Sequence, residues 1–435
     1  MSMRSTHRGR ILLGAAMPAL FGAAIWVACA TGAKPGPIQP GPEAQKQILE
    51  AMIQAQPGAV IEIGEGTFEI DTTLSLDVDG VTIRGQGMDK TVFDFAKQAA
   101  GSGGEGFMIT GNDFTIEDLA VQSTSGDAIK TEGISGVTFR RVRVDWPGPP
   151  STENGAYGLY PVQSENVLIE DSEVRGASDA GIYVGQSKNI IVRRNKAWEN
   201  VAGIEIENSQ DADVYENEAW NNAGGLLVFS LPELPVKDGR NARVFANVIR
   251  DNNHPNFGKP GAIVSTLPPG SGLIIMANDN VEVFENEFRN NDTANVSIVS
   301  FLITQRQYDD PGYDPYPEGV WVHGNTFEGG GTNAVGQFAE AVKPFHGEQM
   351  PDIVWDGIVD AAKLVDGTLP PELRIYIGDN GDADFANFDF GKVLAGAKPM
   401  IDTDLARYQG ALPSPPSPVV FEGVESMPSS AESTG

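Results

Sequence analysis

The chain has 435 residues, with 30 Lys and Arg against 59 Asp and Glu and a formal net charge of −29. This acidic excess argues against a nucleic-acid partner, and it disfavours a polyanionic substrate unless a cation or a local basic patch bridges the two. The single cysteine excludes an internal disulfide. Packing and hydrogen bonds must therefore stabilise the fold.

Residues 1–28 predict a secretory signal peptide. Three arginines precede the apolar run 11–27, and small residues follow it. The run is short for a permanent membrane span. We therefore expect an exported protein, located in the periplasm or at the outer membrane and cell surface.

The only cysteine, Cys29, lies directly after the apolar run and fits a lipoprotein acylation site. The small Ala28 before it favours lipid attachment, whereas Trp26 does not fit the usual aliphatic position. Ordinary cleavage nearby, for example after Ala30, is the alternative. Residues 29–41 are predicted to be a linker.

Residues 42–56 predict an N-terminal capping helix. Ile48, Met52 and Ile53 recur at helical spacing, just before a Pro-Gly turn and a predicted strand at 59–63. The end of a stack of coils exposes unpaired backbone N–H and C=O groups to which another strand could add. A cap is therefore expected there.

A unit of about 22 residues, lengthened in places by insertions, then recurs along the chain. The apolar anchors of the units are Ile63, Ile83, Ile116, Phe139, Ile169, Val192, Val214, Val244, Val283 and Val322. Each unit has room for three short strands but not for a βαβ unit of roughly 30 residues. We therefore predict an all-β fold, a right-handed parallel β-helix of about ten coils that occupies 42–330 with its capping helix.

Asparagine occupies the position three residues after the anchor in five consecutive units, namely Asn195, Asn217, Asn247, Asn286 and Asn325. Asn tolerates the left-handed conformation of a sharp turn, and amides stacked roughly 4.8 Å apart can bond to each other. The column predicts an asparagine ladder with a structural role.

The repeat ends near Gly331. Residues 331–410 are predicted to be a mixed, partly helical C-terminal cap. Residues 411–435 are rich in Pro and Ser and are predicted to be a disordered tail.

The pattern Gly-Ile-x-Ile followed by Asn/Asp-x-x-Val-x-x-Asn, over about 60–330, resembles the parallel β-helix repeat shared by pectate lyases, mannuronan C5-epimerases and many exported proteins. The order of signal, cap, coils, Gly-Asn-Thr-Phe at 324–327 and Trp-Asp-Gly-Ile at 355–358 is similar to a narrower family of exported β-helix repeat proteins. That family has no assigned activity, and its members tend to be encoded beside a second exported protein. The resemblance implies a fold rather than a reaction.

The insertions predict a groove over the strand that often begins with Gly. Insertions at 145–157 and 251–271 precede this strand, and those at 230–240 and 302–318 follow it. Loops on both sides of one sheet would flank a cleft, although insertions are also tolerated wherever they meet solvent.

Outward residues of that strand supply the catalytic candidates Lys130, Tyr160, Tyr183, Glu205 and Glu207. The first four lie on successive coils, roughly 5 Å apart. An ammonium, two phenols and a carboxylate could abstract a proton beside a carboxyl group, as in a polysaccharide lyase. The two glutamates could instead serve a glycoside hydrolase. Solvated positions on an exposed sheet are the third interpretation.

His254 is a further acid/base candidate because it lies in a groove-side insertion. Its surroundings, Asn253-His254-Pro255-Asn256, lack the Asp-Pro-His-Asp type of sequence associated with mannuronan epimerases. This departure counts against an epimerase.

Trp198 and Trp220 are predicted to point outward and stack on adjacent coils of a different sheet. Their rings could bind a sugar or a partner, or could simply cover the sheet. Arg306 and Tyr308, in the insertion 302–318, are further ligand-binding candidates.

Two acidic loops could bind Ca²⁺. Asp309, Asp310 and Asp314 offer hard oxygens, as does the segment 379–384. Neither has a full twelve-residue calcium loop ending in Glu, and exposed acidic turns are common.

Two functions fit these observations. One is an extracytoplasmic binding or scaffold protein for a polysaccharide or a second exported protein, and the other is a polysaccharide lyase or glycoside hydrolase. We favour the first, because no acid/base constellation is demanded by the sequence.

Overall fold

Three ladders of parallel strands form the body of the protein in this computed structural model, which describes residues 36–98, 101, 103–421 and 424. The predicted signal, Cys29 and the linker up to residue 35 lie outside the described residues. All elements named below belong to one unit, Pro37–Gly435.

Face 1 is a sheet of strands that pair in chain order, one from each coil. Its strands are Leu74–Leu76, Phe107–Ile109, Ile129–Glu132, Tyr157–Val162, Ala180–Gly185, Ala202–Glu207, Gly224–Phe229, Ser271–Met276, Ala294–Val299, Ile353–Trp355 and Phe385–Asn387.

Face 2 follows face 1 within each coil. Its strands are Val60–Glu62, Thr82–Arg84, Phe114–Gln122, Ser135–Asp145, Glu165–Glu170, Lys188–Arg193, Gln210–Tyr215, Gly239–Phe245, Asn278–Phe284, Glu318–His323 and Ile375–Gly378.

Face 3 completes each coil. Its strands are Gly66–Glu69, Thr91–Asp94, the second halves of the long strands Phe114–Gln122 and Ser135–Asp145, Glu173–Arg175, Lys196–Trp198, Glu218–Trp220, Val248–Arg250, Glu287–Arg289 and Thr326–Glu328.

The three faces enclose an apolar interior built from the predicted anchors. Phe139, Ile169, Val192, Val214 and Val244 are all 0% exposed. Burial of one such side chain contributes about 1.5–3 kcal/mol, so the stacked column is a large part of the stability of the coils. The predicted parallel β-helix is confirmed.

A helix at Ala44–Gln54 covers the N-terminal end, as predicted. Ala44, Ile48 and Met52 form its buried stripe, whereas Ile53 is 79% exposed. Including Ile53 in the core stripe was therefore wrong, because it follows Ile48 by five residues and so lies about 140° away around the helix. None of the helices in the described part of the chain is long and apolar enough to span a membrane.

The coils extend past residue 330, where the sequence prediction ended them. Ile353–Trp355, Ile375–Gly378 and Phe385–Asn387 add strands to faces 1 and 2. The remainder of 331–410 contains the helices Gln337–His346 and Phe390–Leu394 and short 3₁₀ turns at Ala361–Lys363, Pro371–Leu373 and Leu405–Arg407. The cap is mixed, as expected, but it begins later.

The predicted asparagine ladder runs between faces 2 and 3. Each Nδ2 donates to Oδ1 of the next asparagine at 2.9–3.1 Å, through Asn195, Asn217, Asn247, Asn286, Asn325 and then Asn380. The left-handed residue is the one before each Asn, such as Arg194 or Glu216, and not the Asn itself. The predicted left-handed conformation of Asn itself was therefore wrong, whereas the predicted hydrogen bonding between stacked amides is confirmed.

A second ladder, between faces 3 and 1, was not predicted. Asn200, Asn222, Asn252 and Asn291 are linked in the same way at 3.0–3.1 Å. It supports the corner directly before face 1.

Residues 411–421 lie against face 2 instead of forming the predicted disordered tail. Val419 is 5% exposed and packs with Tyr215 and Phe245. Its backbone N–H donates to Asp213 Oδ2 at 3.2 Å, beside an Asp213–Arg243 ion pair that is 1–2% exposed. The segment shields this ion pair, which explains why a Pro- and Ser-rich sequence is held in place here.

We expect Asn217→Ala to lower the free energy of unfolding by about 2–4 kcal/mol, because it strands buried amide groups on both neighbouring rungs. Urea unfolding measures the loss. Asn253→Ala makes the same truncation at an exposed amide and should lower the free energy of unfolding by less than about 1 kcal/mol. Equal losses would contradict a stabilising ladder.

Val419→Asp should destabilise the protein by about 2–4 kcal/mol, since it buries a second carboxylate beside Asp213. The neighbouring Val420 is 65% exposed, so Val420→Asp is the matched control and should change stability by less than about 0.5 kcal/mol. If both variants unfold alike, the C-terminal segment is not docked on face 2.

Candidate functional site

The candidate site lies on the outer side of face 1. Parallel register pairs Lys130 with Tyr160 and Tyr183 with Glu205, so these side chains follow one another from coil to coil. Glu207 lies two residues beyond Glu205 on the same strand and pairs with Gly185. The fold therefore brings five of the six predicted catalytic residues onto one surface.

A glycine at each face 1 corner determines which side chains reach this surface. A Cβ on Gly181 would lie 2.9 Å from the Gly203 carbonyl oxygen of the next coil, and Gly158 and Gly203 are equally confined. The Cβ position of each of these glycines faces the interior of the coil, as does the apolar side chain that follows it. The alternation of the strand is thus interrupted at the corner, and the residue before each glycine faces outward.

Tyr157 joins the site for this reason, whereas Asp179 joins it from the turn before the next strand, and sequence reasoning missed both. Tyr157 precedes Gly158 directly, and Asp179 lies just before the strand Ala180–Gly185. The recurring glycine was the signal that could have revealed Tyr157, had its Cβ position been recognised as facing the interior.

Three tyrosine rings form the centre of the site. The Tyr157 centroid lies 4.5 Å from that of Tyr160 and 4.6 Å from that of Tyr183, and Tyr160 and Tyr183 are 4.9 Å apart. The Tyr183 ring lies over Gly185, where any side chain would collide with it. Because Gly185 has no side chain, the Tyr183 hydroxyl can reach Glu207 on the next coil.

Lys130 is not a free cation at the edge of the tyrosines. Its Nζ lies 2.8 Å from Glu132 Oε2 and 5.5 Å from the centroid of the Tyr160 ring. The ammonium is thus already paired, which weakens its predicted role of neutralising a substrate carboxylate.

Carboxyl groups line the other side of the tyrosines. Glu205 is 2% exposed and Glu207 is 6% exposed, and the two side chains are within hydrogen-bonding contact. Asp179 lies one coil before them and accepts a hydrogen bond from Tyr157. Oε2 of Glu205 has no hydrogen-bond partner. The interpretation of these residues as solvated surface positions is therefore wrong. They form a buried acidic group in which one carboxyl oxygen lacks a hydrogen-bond partner.

Burial raises the pKa of each of these carboxyls. Burial and then the charge of Glu207 raise the pKa of Asp179 to about 7, against the bond from Tyr157. Burial raises the pKa of Glu207 to about 7, although bonds from Tyr183 and Glu205 oppose it. The pKa of Glu205 is raised well above its usual range, by burial first and the charge of Asp179 second. The group can hold and exchange protons near neutral pH.

Asp127 extends this group toward the N-terminal coils. Burial raises its pKa to about 6, opposed by a 3.3 Å bond from the Tyr157 backbone N–H and by the nearby ammonium of Lys130. It is the most readily ionised of the four carboxyls at neutral pH.

The insertion 251–270 covers the site. Phe257 packs with the tyrosine cluster, and Val264 and Leu267 pack on the following coils of face 1. The Phe257 carbonyl accepts a 3.0 Å bond from Thr152, which joins this cover to the insertion 145–157. Two of the four predicted groove loops therefore meet over face 1.

An apolar cleft of about 130 Å³ continues the site along face 1. It is lined by Leu227 and Phe229, which follow Glu205 and Glu207 in register, and by Met276 and Ile303 among others. The surface thus changes from acidic and aromatic to apolar within one coil.

His254 does not join the carboxyl group in the described contacts. Its Nδ1 lies 2.8 Å from the Pro255 carbonyl, and its ring stands edge-on to Phe257. It supports the cover, so a direct acid/base role has no geometric support.

The predicted ligand-binding residues lie in two other places. Trp198 and Trp220 stack on face 3 with centroids 5.1 Å apart, and Arg250 lies 5.3 Å over Trp220. Tyr308 packs edge-on against Phe301 and Tyr313, while Arg306 is exposed.

The three predicted calcium ligands do not form one group. Asp310 Oδ2 is held by Lys237 Nζ at 2.6 Å and by the Glu233 N–H at 2.7 Å. Asp309 is exposed, and Asp314 pairs with Lys363 instead. In the other predicted loop, 379–384, Asn380 serves as the last rung of the ladder.

The raised pKa values predict that stability falls as pH rises from about 5 to 8. In this window the folded carboxyls retain protons that the unfolded chain has released, so folding takes up protons and alkaline conditions oppose it. Carboxyls with a lowered pKa, such as Asp118 and Glu170, lose their stabilising effect only at lower pH. Thermal melts across this range measure the slope.

Glu207→Gln should flatten that slope, since it removes one of the titrating groups. Glu165→Gln, on the exposed part of face 2, should leave it unchanged. A melting temperature that rises from pH 5 to pH 8 would contradict the protonation assigned to the site.

Comparisons with known proteins agree on the fold. A family model described as a right handed beta helix region matches residues 73–230 and 128–327, together more than half of the chain. The A-module of the mannuronan C-5 epimerase AlgE4 of Azotobacter vinelandii superposes with a TM-score of 0.51 at 18% identity, covering 78% of this chain and 90% of that one. The A-module of AlgE6 from the same organism gives 0.52 at 17% identity with the same coverage. A search of curated protein sequences finds no match. The chain belongs to the right-handed β-helix family.

Proposed function

We propose that this protein is a glycoside hydrolase that acts on a neutral polysaccharide at the acidic site of face 1. The observation that carries the proposal is the buried group of Asp179, Glu205 and Glu207, in which two carboxyls have a pKa of about 7. Carboxyl groups tuned to neutral pH are the reagents that glycosidic bond hydrolysis requires.

Different environments suit two carboxyls to different roles. Glu207 shares a proton with Glu205 and is the general acid that protonates the leaving oxygen. Asp179, one coil away, accepts its hydrogen bond from Tyr157 instead of from a second carboxyl, so we assign it the role of base or nucleophile. Glu205 and Glu207 are too close together to flank a glycosidic bond, so they act as one proton-sharing pair.

Electrostatics favours a neutral substrate over a uronate polymer. Four carboxyls line the site, and Lys130 is already paired with Glu132. A substrate carboxylate would meet repulsion from these four groups, which the ammonium of Lys259 in the cover would offset only in part. The lyase reading, which depended on Lys130, is therefore the weaker one. The two A-modules named above are mannuronan epimerases, whereas the carboxyls of this site would repel a uronate polymer.

A binding role is the second candidate, and the stacked Trp198 and Trp220 favour it. The two rings are half-buried on face 3, away from the acidic site, and Arg250 lies over one of them. Such a flat aromatic surface packs well on a sugar ring or on a partner protein. Export through the predicted signal, with or without lipid at Cys29, would place either function outside the cytoplasm.

Turnover on neutral and acidic polysaccharides tests the proposal. We expect reducing ends from a neutral glycan, no unsaturated products from uronate polymers, and a loss of at least 100-fold in kcat for Glu207→Gln and for Asp179→Asn. Glu165→Gln, a matched exposed glutamate on face 2, should retain activity within about threefold.

Unsaturated products, or full activity in both site variants, would contradict the hydrolase assignment. Tight binding of an intact glycan that only Trp198→Ala and Trp220→Ala weaken would contradict it in favour of the binding role.

A further inference from the structure

A second acidic group lies on face 2, outside the candidate active site. Asp279 and Glu318 are direct partners on adjacent parallel strands, and Asp314 comes from the insertion that leads into the second strand. One carboxylate oxygen from each lies within 4.8 Å of the other two. The parallel register fixes two of these groups, and the insertion supplies the third.

The positive charge beside this group is smaller than its negative charge. Lys363 Nζ bonds Asp314 Oδ2 at 2.6 Å and Glu318 Oε2 at 2.7 Å. Arg240, the register neighbour of Asp279 on the other side, pairs with Asp238 at 3.1 Å instead. One ammonium thus faces three carboxylates, which leaves a deficit of two charges.

Two oxygens of the group are buried without a hydrogen-bond partner. They are Oε1 of Glu318, a residue only 4% exposed, and Oδ1 of Asp279. A buried charged oxygen without a partner is costly, so such atoms point to a ligand that the protein atoms do not supply.

We propose that Asp279, Asp314 and Glu318 bind one divalent cation, with Ca²⁺ as the preferred ion. A cation of charge two balances the deficit that Lys363 leaves. The donors are all hard oxygens, and since they lie within 4.8 Å of one another, one ion can contact all three. Mg²⁺ is less suited, because it demands a regular octahedron at shorter distances.

The ion would tie a long insertion to the coils. From the same insertion, Phe301 and Tyr313 pack with Met276 of face 1 and with Ile263 of the cover over the site. Tyr313 Oη also donates to the Ser230 carbonyl at 2.6 Å. A cation at Asp314 would therefore fix the wall at the far end of the apolar cleft, independently of the reaction proposed above.

This site differs from the calcium loop predicted from sequence. It keeps Asp314, but its other two ligands come from strands that are distant in the sequence. Asp309 and Asp310 have no place in it, since one is exposed and the other is bound by Lys237. The two sets of ligands can be separated by mutation.

Calorimetric titration of the chelator-treated full-length protein with CaCl₂ and MgCl₂ tests the proposal. We expect one Ca²⁺ per chain, with a Kd of about 1 mM or tighter and at least tenfold preference over Mg²⁺. Saturating Ca²⁺ should raise the melting temperature. Asp279→Asn and Glu318→Gln should each weaken binding at least tenfold, while Asp309→Asn in the same insertion should change it less than twofold.

Near-UV circular dichroism of each variant without Ca²⁺ shows whether it is folded, and Asp314→Asn replaces any variant that is not. The proposal is overturned if no Ca²⁺ binds at about 10 mM. It is equally overturned if Asp309→Asn abolishes binding that Asp279→Asn and Glu318→Gln retain.

Discussion

The stacking of backbone hydrogen bonds between parallel coils is the constraint on which the rest of the structure depends. Strands that repeat at about 4.8 Å satisfy one another along each face, but the buried corners between faces need donors and acceptors of their own. Two asparagine ladders meet that need, because each amide bonds to the next rung and to a backbone carbonyl, as Asn217 does to Asn247 and Val192. The corner therefore keeps its register for coil after coil.

The same register creates the chemistry of face 1. It stacks the outward side chains, so Tyr183 becomes a neighbour of Glu205 and Glu207 on the next coil. Stacked carboxyls under a loop lose hydration and repel one another. Their charge is reduced because they retain protons, and tyrosine hydroxyls donate hydrogen bonds to those that are ionised. The regular scaffold thus holds together a group of carboxyls that lowers stability. Such groups are common in active sites.

Much of the fold and part of the site could be predicted from the sequence. The anchors at one register specify the coils, and Lys130, Tyr160, Tyr183 and Glu205 follow from alternation. Tyr157 was missed because the corner glycine interrupts that alternation, and Asp179 was missed because it lies in the turn before its strand. His254 lies in the groove-side insertion, as expected, but its contact with Phe257 could not be predicted, because the course of a long insertion depends on tertiary contacts. Composition alone likewise predicted disorder at 411–421, where a few side chains such as Val419 decide the packing.

The central claim is that carboxyls of the face 1 site hold protons near neutral pH. Infrared difference spectra recorded from pH 5 to pH 9, for the unmodified protein and for Glu207→Gln and Asp179→Asn, observe these groups directly. The account predicts carboxylic acid bands that titrate near pH 7 and are reduced in each variant. If Glu207 and Asp179 are both fully ionised by pH 5, the proposed acid–base role is contradicted.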